Sequence, residues 1–278
     1  MTQEGGEAAA IVSACGRCEG VGLFYDPTVE VGRYGRLRLC DCVKGLCRCG
    51  GRKPYQFWDE DSRRHWCACQ PHRRRLSETN RLFRQSEIPE RYKWTFQDDF
   101  HRAADDGTPV TLADPVMVEV GGMMERPQAP TRGYLLHGPP GTGKTLLGCI
   151  MLNELMLRWA KPGRFLNLTR RYFERLRDTY SEDSQHHGKT WQIIEELCNM
   201  PFLMLDDFGV QRNTDWELEM LYNLVDARYS EERFTIITTN KPLEEIGQIS
   251  QGRILSRLME MCKVMQMDGF DYREHRTF

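Results

Sequence analysis

The chain carries the stretch Gly138-Pro139-Pro140-Gly141-Thr142-Gly143-Lys144-Thr145, which satisfies the phosphate-binding pattern G-x-x-x-x-G-K-[S/T] at every fixed position. Residues 133–137 (GYLLH) before it predict a short strand, and residues 146–159 after it predict a helix. In this context successive backbone N–H groups and a helix N-terminus converge on one anion. We therefore expect the loop to bind the phosphates of a nucleoside triphosphate.

Two side chains of this P-loop have specific expected roles. Lys144 can reach the β- and γ-phosphates, and the Thr145 hydroxyl can ligate Mg²⁺. The alternative is a glycine-rich turn that merely precedes a helix, and the combination of motif and context argues against it.

Two further apolar runs end in polar residues. Residues 202–205 (FLML) lead into Asp206 and Asp207, the form of a Walker B strand. Such a strand would bring Asp206 to the Mg²⁺ ion, and Asp207 could orient the attacking water. Residues 233–239 lead to Asn240, which is placed to contact the γ-phosphate and that water.

Strands and helices alternate from residue 133 onward, which predicts an α/β fold with a parallel sheet flanked by helices. The predicted strands are residues 133–136, 164–168, 202–206, 233–238 and 263–267. Thr169 is expected to cap a helix that continues through Tyr180. The capping-box spacing of Thr214 and Glu217 predicts a helix from about residue 215 to residue 230.

Charge is distributed unevenly along the 278 residues. The net charge is −2, yet residues 33–93 carry +9 and residues 94–278 carry −7. A basic segment beside an acidic body predicts contact with nucleic acid or with an acidic protein surface; charge compensation of bound thiolates is the alternative. Hydrophobic residues make up 40% of the chain, enough for a substantial core.

Eight of the eleven cysteines lie in residues 13–72 as closely spaced pairs, which predicts metal binding. The simplest arrangement is two Cys₄ zinc sites, formed by Cys15, Cys18, Cys40 and Cys42 and by Cys47, Cys49, Cys67 and Cys69. Interleaved pairing, His72 as a ligand and an iron–sulfur cluster remain alternatives. The other three cysteines, Cys149, Cys198 and Cys262, are expected in the core.

These patterns predict four segments: a disordered tail over 1–12, a cysteine-rich zinc-ribbon-like domain over 13–72, a linker and lead-in over 73–99, and an ATPase domain over 100–278. Basic and aromatic residues interleave in the second segment, which suits either a nucleic-acid surface or a protein-docking surface. No stretch resembles a signal peptide or a membrane span, so we expect a cytoplasmic protein without membrane contact.

From residue 88 to its end the chain resembles the AAA+ family of DnaC-type helicase loaders and the related IstB-type transposition ATPases. The resemblance is carried by the P-loop and by Ile88-Pro89-Glu90-Arg91-Tyr92, Glu174-Arg175-Leu176-Arg177-Asp178-Thr179-Tyr180, Leu205-Asp206-Asp207-Phe208-Gly209, Thr214-Asp215-Trp216-Glu217, Leu221-Tyr222-Asn223-Leu224, Thr238-Thr239-Asn240, Arg253-Ile254-Leu255-Ser256-Arg257-Leu258 and Asp271-Tyr272-Arg273.

The resemblance implies further roles. Asp206 would bind Mg²⁺-ATP, Asp207 stands where many AAA+ proteins have Glu, and Asn240 corresponds to sensor 1. Arg257 corresponds to an arginine finger that acts on a neighbouring subunit, and Arg273 to the sensor 2 arginine. The helix over 169–180 corresponds to the region that faces single-stranded DNA; its arginines are Arg170, Arg171, Arg175 and Arg177.

The expected function is therefore that of an ATP-dependent helicase loader that self-associates through its ATP sites and acts on single-stranded DNA and a replicative helicase. The alternative within the family is a transposition helper that binds duplex DNA and stimulates a transposase. Two other classes are a small-molecule kinase, in which Asn240 and Arg257 would have no evident role, and a binding module whose P-loop acts as a nucleotide-gated switch.

Overall fold

The computed structural model describes residues 3–26, 28, 35–97, 114–210 and 214–269. The chain divides into two units, residues 1–84 and 85–278. Among the described residues, no helix is both long enough and apolar enough to span a membrane.

The described part of the first unit consists of short hairpins and helices. Its elements are α1 Gln3–Ser13, β1 Leu23–Tyr25, β2 Leu37–Leu39, α2 Asp41–Gly45, β3 Gln56–Trp58, β4 Arg64–Trp66 and α3 Gln70–Gln85. Strand β1 pairs antiparallel with β2, and β3 with β4. Because antiparallel pairing brings the two ends of a hairpin together, each hairpin joins the cysteine pair before it to the cysteine pair after it.

Helix α1 corrects the prediction of a disordered tail over residues 1–12. The run Ala8-Ala9-Ala10 has high helix propensity. Val12 is only 3% exposed, so it attaches the end of the helix to the rest of the protein.

The predicted linker over 73–99 is also corrected. Residues 73–84 continue α3 in the first unit, whereas residues 85–97 belong to the second. Leu76, Leu82 and Phe83 form a buried stripe on α3, at the spacing that places residues on one helical face. In the second unit, Ile88 and Phe96 are each 2% exposed, so the lead-in packs as part of that unit.

The second unit is an α/β domain. Its helices and strands are α4 Asp114–Met124, β5 Gly133–His137, α5 Lys144–Trp159, β6 Gly163–Asn167, α6 Phe173–Asp178, α7 Thr190–Asn199, β7 Phe202–Asp206, α8 Asp215–Ser230, β8 Phe234–Thr239, α9 Leu243–Gln248, α10 Arg253–Met261 and β9 Cys262–Gln266. All five predicted strands are confirmed, with bounds that differ by at most one residue.

The five strands form a parallel sheet in the order β6-β7-β8-β5-β9. Every residue of β7 and β8 is buried, as expected for strands covered by helices on both faces. The chain leaves β5 for the far edge of the sheet and later adds β9 on the other side of β5. A crevice therefore opens at the carboxyl ends of the strands beside β5, where ligands of such sheets bind.

The helix expected from Thr169 begins differently. A π-helical turn, Leu168–Tyr172, connects β6 directly to α6, and no side chain caps α6. Tyr172 and the adjacent Phe173 are each 1% exposed, and the Tyr172 hydroxyl donates to the Met220 carbonyl oxygen at 3.1 Å. The wider turn lets two consecutive aromatic residues enter the core.

Helix α8 begins where predicted. The Thr214 hydroxyl accepts a hydrogen bond from the Glu217 backbone N–H at 3.3 Å. The Glu217 carboxylate does not complete the capping box: it is buried and forms an ion pair with Arg177 on α6. The capping signal therefore predicted the helix start correctly, while packing redirected the acidic side chain.

Arg228 on α8 connects several core elements. Its side chain is 0% exposed, and its guanidinium donates to the carbonyl oxygens of Leu197 at 2.7 Å, Met200 at 2.8 Å and Phe234 at 2.6 Å. It also donates to the Thr235 hydroxyl at 2.9 Å. Burial lowers the pKa of Arg228 to about 9, so it stays charged at neutral pH. This one side chain fixes the starts of β7 and β8 against α8.

Candidate functional site: a phosphate loop, two acidic residues and two cysteine quartets

The P-loop takes the backbone shape that phosphate binding needs. Gly138 has φ +149°, and a Cβ there would lie 1.9 Å from the Met267 carbonyl oxygen, so only glycine fits. Gly143 has φ +86° and immediately precedes α5. Because glycine brings no capping side chain, the first N–H groups of α5 are left for an anion.

Lys144 is 6% exposed and folds back onto the loop. Its ammonium group donates to the Pro139 carbonyl oxygen and, at 3.2 Å, to the Thr142 hydroxyl. The lysine therefore already lies within the curve of the loop, where the β- and γ-phosphates are expected.

Asp206 lies at the centre of a hydroxyl network at the end of β7. The Thr145 and Thr238 hydroxyls donate to the same carboxylate oxygen, Oδ1, at 2.9 and 2.8 Å. Burial raises the pKa of Asp206, and the neighbouring Asp207 charge raises it further. Thr145 and Asp206, the two residues predicted for Mg²⁺, therefore meet as oxygen donors of the type that Mg²⁺ prefers.

Asp207 is held in an uncommon backbone conformation, with φ +60°. Its N–H donates to the Thr238 hydroxyl at 3.2 Å, which fixes the turn just after β7. The Asn167 amide donates to Asp207 Oδ2 at 3.0 Å and lies 3.4 Å from Asp206 Oδ2. This geometry orients the Asp207 carboxylate at the edge of the sheet.

Asn167 is a site residue that the sequence analysis missed. It is the last residue of β6 and pairs in register with Asp206. A polar residue at the carboxyl end of a predicted strand was the available signal, since all such ends meet at one edge of a parallel sheet. That β6 would lie directly beside β7 could not be read from the sequence.

Asn240 is exposed and directly follows β8. Thr239, the residue before it, pairs in register with His137, and its carbonyl oxygen accepts a hydrogen bond from the Gly138 N–H at 3.3 Å. Asn240 therefore lies at the same sheet edge as the first residue of the P-loop. Its role as a sensor stays a prediction.

Arg257 on α10 is held by residues of α8. Its guanidinium donates to Asp226 at 2.5 Å and to the Tyr222 hydroxyl at 2.8 Å. It also lies 4.8 Å from the centre of the Tyr222 ring. The described contacts of Arg257 do not include the P-loop of its own chain. Arg273, the other predicted arginine, lies outside the described residues.

The basic helix has partners of its own. Arg171 and Arg175 approach Glu87 at 3.5 and 3.6 Å, while Arg177 pairs with Glu217 and lies 5.8 Å from the centre of the Trp216 ring. These ion pairs hold the helix within the second unit; the Arg170 side chain lies outside the described residues. Contact with single-stranded DNA stays a prediction.

Two cysteine quartets form in the first unit with the predicted membership. They are Cys15, Cys18, Cys40 and Cys42, and Cys47, Cys49, Cys67 and Cys69; within each, the sulfur atoms lie within 4.8 Å of one another. Neighbouring sulfurs are 3.5–3.7 Å apart. A disulfide needs about 2.05 Å, whereas a tetrahedral ion with Zn–S bonds of about 2.3 Å places its sulfurs about 3.8 Å apart. The donor sets fit two tetrahedral metal ions.

Hydrogen-bond donors beside each quartet favour the thiolate form of particular cysteines, whereas burial raises the pKa of others, such as Cys42. The backbone N–H groups of Cys18 and Arg17 lower the pKa of Cys15 to about 7. In the second quartet, Arg73 Nε donates to Cys69 Sγ at 3.3 Å. His72 is in neither quartet and interacts instead with the backbone of Val21, so neither the His72 alternative nor interleaved pairing holds in this structure.

The remaining cysteines match their expected place. Cys149 and Cys262 are fully buried, and Cys198 packs partly buried against the apolar core. They therefore contribute to packing.

Comparisons with known proteins give a family and several relatives for this chain. The family described as IstB-like ATP binding protein matches residues 130–277. The replicative helicase loader DnaC of Escherichia coli K12 is 29% identical over 125 residues, which are 45% of this chain and 49% of that protein. A Mycobacterium tuberculosis protein described as an ATP-binding protein in an insertion sequence is 27% identical over 153 residues, 51% of this chain and 56% of its own length.

A crystal structure of the DnaC helicase loader superposes with a TM-score of 0.53 and 22% identity, covering 65% of this chain and 100% of that one. This likeness shows a shared AAA+ P-loop fold. The chain spans about half the length of the curated relatives it matches. Because the family match covers more than half of the chain and contains the P-loop, Asp206 and Asn240, the chain belongs to the IstB-like ATP-binding protein family.

Proposed function

We propose that this protein is an ATP-dependent helicase loader that acts on single-stranded DNA and a replicative helicase. The supporting observation is the joining of the P-loop to Asp206 through Thr145, in the part of the chain that is similar to the helicase loader DnaC. The site supports ATP binding and hydrolysis, and the similarity suggests the partners.

In this proposal the P-loop N–H groups and Lys144 bind the β- and γ-phosphates. Thr145 and Asp206 hold Mg²⁺, which neutralises phosphate charge when it is bound. Asp207, oriented by Asn167, positions the attacking water, and Asn240 contacts that water from the neighbouring strand end. Asp207 has one methylene group fewer than the Glu common in this position, which predicts slow turnover.

Arg257 would complete the ATP site of a neighbouring subunit in a head-to-tail assembly. Its planar guanidinium suits the charge spread over a transferring phosphoryl group. Asp226 and Tyr222 hold that guanidinium rigidly on the face of α10 and α8, which pre-organises it for a partner.

Mixed subunits test this arrangement. Arg257→Ala and Lys144→Ala should each abolish ATPase activity alone, and mixing the two proteins should restore part of it because some interfaces regain both groups. Arg126→Ala, which removes an exposed arginine of the same unit, is the control. If Arg257→Ala left the ATPase rate unchanged at every protein concentration, Arg257 would not act across subunits.

The loader proposal is tested with labelled single-stranded and duplex DNA, with and without ATP·Mg²⁺, while light scattering follows assembly size. We expect ATP-dependent assembly, preference for single strands and capture of a replicative helicase. Absence of helicase binding together with preference for duplex would contradict it.

A transposition helper is the second candidate. It is favoured by the family match and by the relative in an insertion sequence. This candidate predicts ATP-dependent filaments on duplex DNA and stimulation of a transposase, so the same experiment separates the two functions.

We also propose that the two cysteine quartets hold structural zinc. All four ligands of each site come from the protein, which leaves no position open for catalysis. Cysteine thiols are kept reduced in the cytoplasm, and we accordingly propose that the protein is cytoplasmic.

A further inference from the structure

The first unit presents two exposed tryptophans on one face of a hairpin. Gln56 lies opposite Trp66 and Trp58 lies opposite Arg64, so these four residues share one face of β3–β4. Trp58 is 68% exposed and Trp66 is 57% exposed. The opposite face is different, since Phe57 and His65 stack on each other at 5.7 Å.

A cavity of about 450 Å³ adjoins this face. Tyr55 and Trp66 supply its aromatic walls, and its charged lining residues are Lys53, Arg73, Arg74, Arg81 and Glu78. Glu78 pairs with Arg81 at 3.2 Å. Arg74 lies 5.8 Å from the centre of the Trp66 ring. The lining therefore combines flat aromatic surfaces with a surplus of positive charge.

We propose that this Trp58–Trp66 face binds single-stranded nucleic acid. Indole rings stack on splayed bases without regard to sequence, and guanidinium groups bind the phosphates between them. Diagonal neighbours on a hairpin lie about 7–8 Å apart, a distance that suits bases close together on one strand. Among the described residues that line the cavity there is no Leu, Ile, Val, Met or Phe, the side chains that would anchor an apolar protein segment.

This inference goes beyond the proposed function and beyond the family resemblance, which implies contact with single-stranded DNA only through the helix over residues 169–180 of the second unit. All the residues involved lie in the first unit. Binding at this face should therefore occur without nucleotide and survive Lys144→Ala. A failure of ATP-driven assembly would appear in light scattering with ATP·Mg²⁺. A failure of the Trp58–Trp66 face to bind nucleic acid would appear in the binding measurement without nucleotide.

The test is fluorescence anisotropy of a labelled oligo(dT) of about 15 nucleotides, with the full chain and no nucleotide. We expect Trp58→Leu and Trp66→Leu each to weaken binding at least about fivefold, since a base stacked on an aromatic ring contributes that much or more. Trp58→Phe keeps a ring and should bind within about threefold of the parent. Trp191→Leu, which removes a tryptophan that is 67% exposed in the second unit, should have no effect.

A second variant, Arg74→Gln, keeps the proposal testable if a tryptophan variant does not fold. Metal content and thermal melting show whether each variant is folded. Arg74→Gln should lower the slope of log K against log salt by about 0.7, the value for one phosphate contact on a single strand. Unchanged binding by both Leu variants, equal competition by duplex DNA or by polyglutamate, or loss of binding in Lys144→Ala would each overturn the proposal.

Discussion

Replacing Arg228 by Met should strongly destabilise the second unit. The two side chains are similar in length, so the change removes the hydrogen-bond donors without opening a large cavity. It deprives the carbonyl oxygens of Leu197, Met200 and Phe234 of a charged donor at 2.6–2.8 Å, and that of Cys198 of one at 3.2 Å.

At a net value of about 1 kcal/mol for each of these four hydrogen bonds, the free energy of unfolding should fall by about 4 kcal/mol. The loss would be a large fraction of the total stability of about 5–15 kcal/mol that is usual for a folded domain.

Urea unfolding followed by far-ultraviolet circular dichroism measures the loss. We expect the midpoint of the transition of the second unit to fall by about 1.5 M. Lys189→Met is the matched control, because it removes an exposed cation whose hydrogen bond to the Gln185 carbonyl oxygen lies at the surface. A loss below about 1 kcal/mol, or one equal to that of the control, would refute the argument that buried carbonyl groups depend on Arg228.

Three other outcomes are expected. Asp206→Asn should raise the melting temperature of the nucleotide-free protein in EDTA, because it removes a buried carboxylate beside Asp207, while it abolishes Mg²⁺-dependent ATPase activity; a lower melting temperature would contradict this. Cys18→Ser and Cys67→Ser should each reduce the metal content from two ions per chain to one, as measured by elemental analysis, whereas Cys198→Ser should retain both. Asn167→Ala should lower kcat about tenfold or more with little change in KM, since Asn167 orients Asp207 and does not bind the phosphates. A rise in KM alone would instead assign Asn167 to substrate binding.

Much of the ATPase unit could be predicted from local sequence. Apolar runs located β5 to β9 within one residue, and Thr214 located the start of α8. Cysteine spacing predicted the membership of both quartets, because a hairpin closes the loop between one pair and the next. These features depend on residues close in the chain or joined by one turn.

Other features escaped prediction because packing overrides local preference. Glu217 has the right spacing for a capping box, yet its carboxylate pairs with Arg177 on another helix. Thr169 has the chemistry of a helix cap, yet a π-helical turn passes through it so that two aromatic residues can be buried together. The interleaving of arginines and tryptophans in the first unit could be read from the sequence. The single face of the β3–β4 hairpin that Trp58, Arg64 and Trp66 share could not.

The sequence by itself determined the phosphate loop, the strands with polar ends and the close pairs of cysteines that form the two quartets, since each depends on a short local pattern. The tertiary structure alone decided which strand ends meet. The register of β6 against β7 brings Asn167 to Asp206 and Asp207, and the packing of α8 buries Arg228 against carbonyl groups from separate segments. Such contacts join residues that are distant in the chain, and their free energy is gained only when the whole sheet and its helices assemble.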